Sequence, residues 1–310
     1  MPDKPIERIL VALDGSDRSV RTVKYLAGLT ALVNAEVRLF HVFRKVPESH
    51  YDLAREPAAI NISGQLLGWE QHQRQLIEKH MERCRRILIT ANFDPERVKT
   101  VIHDRQHGVA RDLIATVANA RKPYDAVVIR RRGMGRLAGV VIGSVAFKVL
   151  DGLHMAPLVF AGRKPDNKKI LIGMDLSENA MRAVDFVGRM TQGRGYTIAL
   201  AVVVRRNGAS VVGEGAETDV KAYENALEEA FEKARKCLAP YGYDGEKIDS
   251  RIIRNKPSRA GALVEFAEAD NYNTIVVGRK GVTNLDDFLI GRVSHKILHV
   301  GRKHNVWIVN

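Results

Sequence analysis

The sequence has few cysteines and few aromatic residues. Its 310 residues include two cysteines, Cys84 and Cys237, and only 6% are Phe, Trp or Tyr. Because the two cysteines lie in matching predicted helices of different halves of the chain, we expect reduced thiols rather than a disulfide. The scarcity of aromatic side chains removes the stacking surface on which single-stranded nucleic acids bind. We therefore expect no dedicated nucleic-acid surface, although the formal charge of +13 favours weak binding to polyanions.

Long apolar runs are also lacking. No run approaches the roughly 20 residues that a membrane-spanning helix needs, and the N-terminus lacks the apolar core of a signal peptide. We therefore expect a soluble, cytoplasmic protein without a membrane span.

The chain contains a repeat that covers its whole length. The segment 9–16 (ILVALDGS) recurs as 170–177 (ILIGMDLS), an offset of 161, whereas two glycine-containing loops recur with an offset of 148. The difference, 161 − 148 = 13 residues, is extra sequence in the first half. We place all of it in the polar stretch 44–63, which has a shorter counterpart around 205–216.

Two units of about 155 residues are each large enough for one core. We therefore predict domains at 1–162 and 168–310, joined by a short polar linker, Gly162 to Lys168, that contains Pro165.

Short apolar strands alternate with helices in both halves. The pattern predicts strands at about 7–13, 36–43, 97–103, 125–130 and 156–161, then 169–174, 196–204, 247–253, 273–277 and 305–309, and first-half helices at about 17–33, 63–91, 108–120 and 143–150. Nearly continuous apolar strands between helices indicate an α/β fold with a parallel sheet covered on both faces. Ligands bind such sheets beyond the C-terminal ends of the strands.

Two loops at those ends have the composition of a phosphate site. In the second half, strand 274–277 leads into Gly278-Arg279-Lys280-Gly281, and nine residues later Gly291 opens a helix. Glycine lets a backbone approach a ligand closely, and the amides at a helix start attract phosphate oxygens. An aspartate at the end of the first strand, Asp14 or Asp175, would accept hydrogen bonds from a ribose or base. The alternatives are tight turns for the glycines and helix caps for the aspartates, near Ser16 and Ser177.

This arrangement resembles the universal stress protein family in its tandem two-domain form. Nucleotide-binding members of that family carry G-x2-G-x9-G-[ST] after the fourth strand and an Asp at the end of the first. The resemblance covers both halves and includes the short final strands 156–160 and 305–309. It implies two open, five-stranded parallel sheets of Rossmann-like, adenine nucleotide alpha hydrolase-like fold.

The resemblance also implies nucleotide-binding residues and a cofactor, ATP, with Mg accompanying the nucleotide. In the second half these residues are Asp175, Val203, Gly278, Gly281, Gly291, Arg292, Val293 and Ser294. A second site in the first half would consist of Asp14, Val42, Arg130, Gly133, Gly143, Ser144 and Val145.

Each loop departs once from the family pattern. Arg130 stands where the first loop should have its leading glycine, and its side chain would exclude nucleotide unless it swings away. Arg292 replaces Ser or Thr in the second loop, which removes one hydroxyl contact but keeps the backbone amide. We therefore favour the second half as the competent site. Alternatively, Arg130–Arg132 and Arg136 form a solvated cationic loop.

Candidates for catalysis or metal binding are weak. His295 and His299 are four residues apart on a predicted helix, but no Cys or carboxylate completes a ligand set, and His72 and His80 have less to recommend them. No nucleophile lies beside a base. We therefore expect no metal site and at most slow ATP hydrolysis. The favoured function is an ATP-binding stress-response regulator; the alternative is a nucleotide-free interaction protein of the same fold.

The final strand of each half would be an edge with unpaired backbone groups. In the resembling family such edges pair across a two-fold between subunits, so the resemblance implies an intramolecular pseudo-dimer with strand 156–160 beside 305–309. Further homo-oligomers and unidentified protein partners remain open.

Overall fold

The structure is a computed structural model that describes residues 4–45, 60–131, 142–162, 167–205, 216–281 and 291–310. The first half comprises β1 (Arg8–Ala12), α1 (Val20–Ala27), β2 (Glu36–Phe43), α2 (Ile60–Thr90), β3 (Val98–Asp104), α3 (Val109–Ala118), β4 (Ala126–Ile129), α4 (Ser144–Gly152) and β5 (Leu158–Phe160). The second half comprises β6 (Lys169–Met174), α5 (Glu178–Thr191), β7 (Thr197–Arg205), α6 (Ala216–Leu238), β8 (Ile248–Lys256), α7 (Arg259–Ala269), β9 (Thr274–Gly278), α8 (Arg292–Val300) and β10 (Asn305–Val309). Short 3₁₀ turns lie at Thr30–Leu32, Ala239–Tyr241 and Gly245–Lys247.

All strands belong to one ten-stranded sheet, in the order β3-β2-β1-β4-β5-β10-β9-β6-β7-β8. Within each half the neighbouring strands are parallel, as the uninterrupted apolar strands predict. The α/β fold is confirmed. The two five-stranded sheets are joined by a single antiparallel pair, β5 and β10.

The β5–β10 junction is centred on equivalent residues. Val159 lies opposite Trp307, and these residues are 307 − 159 = 148 positions apart, the same offset as the glycine loops. Leu158 and Phe160 pair with Ile308 and Val306 on either side. An approximate two-fold therefore passes through the Val159–Trp307 pair. The prediction that the final strands lie side by side is confirmed.

Each face of the sheet has one apolar core that continues across the junction. One core gathers side chains from α1, α2, α5 and α6, and the other from α3, α4, α7 and α8. Full burial of a large aliphatic or aromatic side chain contributes about 1.5–3 kcal/mol, so the shared cores bind the halves together.

Trp307 also ties the two halves through polar contacts. Its indole N–H donates to the Tyr25 hydroxyl at 2.9 Å, and that hydroxyl lies 3.2 Å from Thr274 Oγ1. On its other side, the Trp307 ring packs edge-on against Phe186, with ring centroids 5.6 Å apart. Tyr25 and Phe186 are equivalent residues, 186 − 25 = 161 positions apart. Residues of the matching helices α1 and α5 therefore both contact the Trp307 indole.

The strand registers show where the 13 extra residues of the first half lie. Pairing of β1 with β2 matches that of β6 with β7 at an offset of 161, but β3 matches β8 at 248 − 98 = 150 and β4 matches β9 at 148. Eleven extra residues (161 − 150) therefore lie between β2 and β3, and two (150 − 148) between β3 and β4. The prediction that all 13 extra residues lie in 44–63 is therefore wrong for the two residues between β3 and β4.

Cys84 is buried, Cys237 is partly buried, and no disulfide joins them, as expected. Among the described residues, no helix is both long and apolar enough to cross a membrane.

Candidate functional site

The candidate site of the second half lies where three neighbouring strands end. Asp175 follows β6 directly, Gly278 ends β9, and Val203 lies near the end of β7. Because β6 pairs with both β7 and β9, these residues meet at one edge of the sheet. Parallel strands thus assemble the predicted residues at the position where such sheets bind ligands.

A side chain at either of two loop glycines would come too close to a neighbouring residue. A Cβ added to Gly281 would lie 2.5 Å from Asp175 Oδ2, and one added to Gly278 would lie 2.9 Å from the backbone of Asn179. Asn179 also donates from its side-chain amide to the Lys280 carbonyl at 3.2 Å. The loop is therefore held closely against the start of α5. Its backbone, rather than side chains at these positions, faces Asp175.

Asp175 and Ser177 organise the start of α5 together. Asp175 Oδ1 accepts from the Ser177 amide at 3.0 Å and from the Ser177 hydroxyl. Ser177 is the N-cap, because its Oγ accepts from the Ala180 amide at 3.2 Å. The helix-capping role considered for the aspartate therefore belongs to Ser177. Asp175 binds Ser177 through Oδ1, and its Oδ2 lies beside Gly281.

The start of α8 is fastened to the strand that precedes it. The Gly291 amide donates to the Arg279 carbonyl at 2.8 Å. The buried Ser294 hydroxyl donates to the Gly278 carbonyl at 2.7 Å, so it holds the helix to the strand end. First-turn amides of a helix have no acceptor within the helix and remain for a ligand. Val293 is partly buried in this turn, and Arg292 is exposed.

The corresponding site of the first half contains an arginine. Arg130 Nη1 donates to the Arg18 carbonyl at 2.6 Å, and the side chain is partly buried. Burial lowers the pKa of Arg130, and the charge of Asp14 opposes this shift. Asp14 Oδ1 accepts from Ser16 Oγ at 2.6 Å. Its buried Oδ2 has no hydrogen-bond partner within the described residues. The Arg130 guanidinium therefore lies within electrostatic range of Asp14.

The remaining residues of this site are only partly described. Gly143 precedes α4 and donates from its amide to the Arg131 carbonyl at 2.9 Å, as Gly291 does to Arg279. Ser144 is exposed, and Val42 and Val145 are partly buried. Gly133 lies outside the described residues.

Comparison with known proteins decides the family. A sequence model of the Universal stress protein family matches residues 5–159 and again residues 166–310. The chain belongs to the universal stress protein family. Its tandem organisation follows from the two matches, as the sequence resemblance predicted.

Relatives match this tandem universal stress protein over nearly its full length. It is similar to a universal stress protein of Mycolicibacterium smegmatis, with 27% identity over 300 residues, which cover 93% of this chain and 92% of the relative. Its fold is similar to the crystal structure of a universal stress protein from Archaeoglobus fulgidus, with a TM-score of 0.64, 15% identity and 98% coverage of both chains.

In each of the two loops of this universal stress protein, one arginine side chain forms hydrogen bonds with the other half. Arg279 Nη1 donates to the Leu153 carbonyl at 2.7 Å, and Arg279 Nη2 donates to the Leu150 carbonyl. In return, Arg131 Nη1 donates to the Gly301 carbonyl at 2.9 Å and Nη2 to the His304 carbonyl at 3.0 Å. Each guanidinium therefore binds carbonyls at or just beyond the C-terminus of the helix that follows the other loop.

These contacts correct the interpretation of the arginines as a solvated cationic loop. They also identify structural roles for Arg131 and Arg279 that the sequence did not predict. A solvated cationic loop is wrong for Arg130 and Arg131, which are partly buried and hydrogen-bonded; Arg132 and Arg136 lie outside the described residues. The negative end of a helix dipole favours a cation, which explains the choice of arginine. Burial lowers the pKa of Arg279 to about 10, so this guanidinium is still charged at neutral pH.

His295 and His299, which were considered for metal binding, make ring contacts. His295 lies 4.5 Å from His299 and packs edge-on against Phe147 at 6.0 Å, measured between ring centroids. Phe147 and His295 are equivalent residues, 295 − 147 = 148 positions apart, so α4 and α8 touch near the two-fold. Among the described residues, no group of three or more His, Cys, Asp or Glu side chains is arranged to hold a metal ion.

Proposed function

We propose that the second half binds an adenine nucleotide, ATP in the first instance, and that the chain acts as a regulatory binding module. The approach of Gly281 to Asp175 is the observation that carries this proposal. A backbone without a side chain, held beside a carboxylate at the C-terminal edge of the sheet, suits a ligand that has both phosphates and a ribose.

Each group would have a separate task. Amides of the glycine loop and of the first turn of α8 would bind the phosphates. Asp175 Oδ2 would accept a hydrogen bond from a ribose hydroxyl, and the backbone at Val203 would contact the adenine. Arg292 is exposed on the first turn of α8, where its guanidinium would add a charge-assisted bond to a phosphate. Mg would accompany the nucleotide.

We infer weaker binding in the first half. Arg130 provides a side chain where the second half has the backbone of Gly278, and its guanidinium lies near Asp14. A nucleotide would have to displace this side chain from the Arg18 carbonyl. Regulation rather than turnover is the expected role, because the described parts of the two loops, residues 130–131, 142–143, 278–281 and 291, contain no candidate general base.

Two measurements on the full chain test the proposal. Mass spectrometry of the purified, denatured protein should detect co-purified adenine nucleotide, and calorimetric titration of nucleotide-free protein should give saturable ATP binding. If neither nucleotide nor binding is found, the proposal fails and the nucleotide-free interaction protein is favoured. Turnover above about 1 s⁻¹, ordinary for enzymes, would contradict the regulatory assignment.

A further inference from the structure

A groove in the first half lies between α3 and the face of the sheet. It is open to solvent on one side and has a volume of about 760 Å³, within the range of small-molecule sites. Its floor includes Arg8, Arg38 and His103 from β1, β2 and β3, and Thr116 of α3 lies on its other side. Arg8 and Arg38 lie at or near the start of their strands, whereas His103 lies near the end of β3, opposite Val42.

The second half has different residues at the positions that line this groove. By strand register, Arg38 corresponds to Ala199 and His103 to Ile253. Thr116 corresponds to Phe266 at the offset of β3 and β8, an assignment that also aligns the buried leucines of α3 and α7. Thus three residues that are apolar in the second half are polar or charged in the first.

Phe266 has a partly buried ring at the position that Thr116 occupies in the first half. Its ring stacks on Tyr272, with centroids 5.7 Å apart. The equivalent Tyr124 carries Arg8 over its ring, 4.4 Å from the centroid, as Tyr272 carries Lys169 at 5.1 Å. Both halves therefore have a tyrosine with a cation over its ring, but only the second half has a phenylalanine stacked on that tyrosine.

The two extra residues between β3 and β4 add to this difference. The groove includes Arg121 and Lys122 from the lengthened loop, both exposed. The backbone of Lys122 is held in place, because its carbonyl accepts from Arg8 Nη1 at 2.5 Å. The loop thus brings two further positive charges to a groove that already contains Arg38.

The carboxylates of the groove are already engaged. Glu36 accepts from Arg8 Nε at 3.0 Å and lies 3.5 Å from Arg38 Nη2. Asp112 accepts from the backbone amides of Gln106 and His107, each at 2.9 Å. Arg38 Nε, by contrast, is buried and has no hydrogen-bond partner in the described part of the chain. The groove therefore has more cationic groups than its own carboxylates neutralise.

We propose that this groove binds a small anion that carries two or more phosphate or carboxylate groups. Arg38 binds one acidic group at the floor, and Arg121 and Lys122 bind another at the rim. His103 stacks on Phe40, with ring centroids 5.8 Å apart, and so presents a fixed imidazole edge. The groove is separate from the nucleotide site proposed in the second half and does not depend on it.

The second half supplies the variant that tests this proposal. Thr116→Phe introduces the residue that occupies the equivalent position and should fill the groove. Thr116→Ser is the matched control, since the Thr116 hydroxyl donates to the Asp112 carbonyl at 2.7 Å and serine keeps that bond. Arg38→Gln removes the floor cation without filling the groove. Circular dichroism and unfolding midpoints establish that each variant is folded.

The probes are pyrophosphate and citrate, titrated separately into the full chain by calorimetry. We expect saturable binding of at least one probe, weakened by about tenfold or more in Thr116→Phe and in Arg38→Gln and unchanged in Thr116→Ser. Binding of pyrophosphate alone identifies phosphate groups, and binding of citrate alone identifies carboxylates. Pyrophosphate bound at the glycine loops would be unaffected by Thr116→Phe. The proposal is overturned if neither probe saturates, or if both variants bind as tightly as the original chain.

Discussion

The guanidinium of Arg279 donates to the Leu153 carbonyl, which lies just beyond the helix that follows the other loop. Its equivalent, Arg131, makes the corresponding bond to Gly301, and 301 − 153 equals the repeat offset of 148. The contact is therefore reciprocal. Since each arginine belongs to a glycine loop, each loop is joined to the opposite half through one side chain.

Removing the Arg279 guanidinium should destabilise the fold. Arg279→Met leaves the Leu150 and Leu153 carbonyls without their donor, and we expect the free energy of unfolding to fall by about 1.5–3 kcal/mol. Urea denaturation measures this change. Arg292→Met, on the exposed first turn of α8, is the control and should change stability by less than about 0.5 kcal/mol. Equal effects of the two substitutions would argue against the reciprocal contact.

The Tyr25 hydroxyl should stabilise the junction between the halves. Tyr25→Phe leaves the buried Trp307 indole N–H without an acceptor, and a buried donor without a partner costs about 1–3 kcal/mol. We expect a matching fall in the free energy of unfolding. Tyr223→Phe removes a hydroxyl from a side chain that is 41% exposed and should be nearly neutral. A neutral Tyr25→Phe would show that the indole finds another acceptor.

The departures from the glycine pattern should differ in their effect on ATP binding. Gly281→Val should abolish binding in the second half, because its side chain would collide with Asp175. Arg292→Ser should change the binding free energy by less than about 2 kcal/mol, since it exchanges a guanidinium contact for a hydroxyl contact. Calorimetry on the full chain measures both. A larger loss in Arg292→Ser would identify Arg292 as a principal phosphate ligand.

Restoring glycine in the first loop should create a second nucleotide site. Arg130→Gly removes the side chain that lies near Asp14, so we expect the calorimetric stoichiometry to rise from one ATP per chain toward two. Combining it with Gly281→Val should leave one. An unchanged stoichiometry in the single variant would show that other features of the first half exclude nucleotide.

His41 should make the protein sensitive to acid. Burial lowers the pKa of His41 below its ordinary value of 6.5, although the Leu13 carbonyl at 2.9 Å and Asp14 oppose the shift. The unfolded chain therefore takes up a proton first, and stability should fall as the pH drops from about 6.5 toward 5. His41→Val, which introduces the residue at the equivalent position 202, should reduce this slope. Denaturation curves at several pH values test it, and an unchanged slope would assign the sensitivity to other histidines.

The sequence predicts the elements of this fold well because their signals are local. Apolar strands, glycine loops and the recurrence of Asp14 as Asp175 can each be recognised within a few residues. The placement of strand 156–160 beside 305–309 also follows, since an exposed edge needs a partner and the family resemblance implies that the two final strands pair. The split of the extra residues does not follow, because only strand register shows where equivalence resumes.

The arginine contacts were missed for a different reason. Arg131 reaches an acceptor 170 positions away, and no local pattern reports a meeting over that distance. One signal was nevertheless present. Arg131 and Arg279 occupy the same position of the two glycine loops, 148 residues apart, so the repeat showed that both halves keep an arginine there.

Fusion of the two units into one chain frees them from having the same sequence. In a dimer of identical subunits, every substitution occurs on both sides of the two-fold axis, so a phenylalanine cannot be lost from one side alone. Here the junction at Val159 and Trp307 has the geometry of such an axis, yet one position is small and the other is an indole. The same freedom allows Thr116 to face a groove that Phe266 closes in the other half. One unit can thus acquire a new ligand while the other keeps its original role.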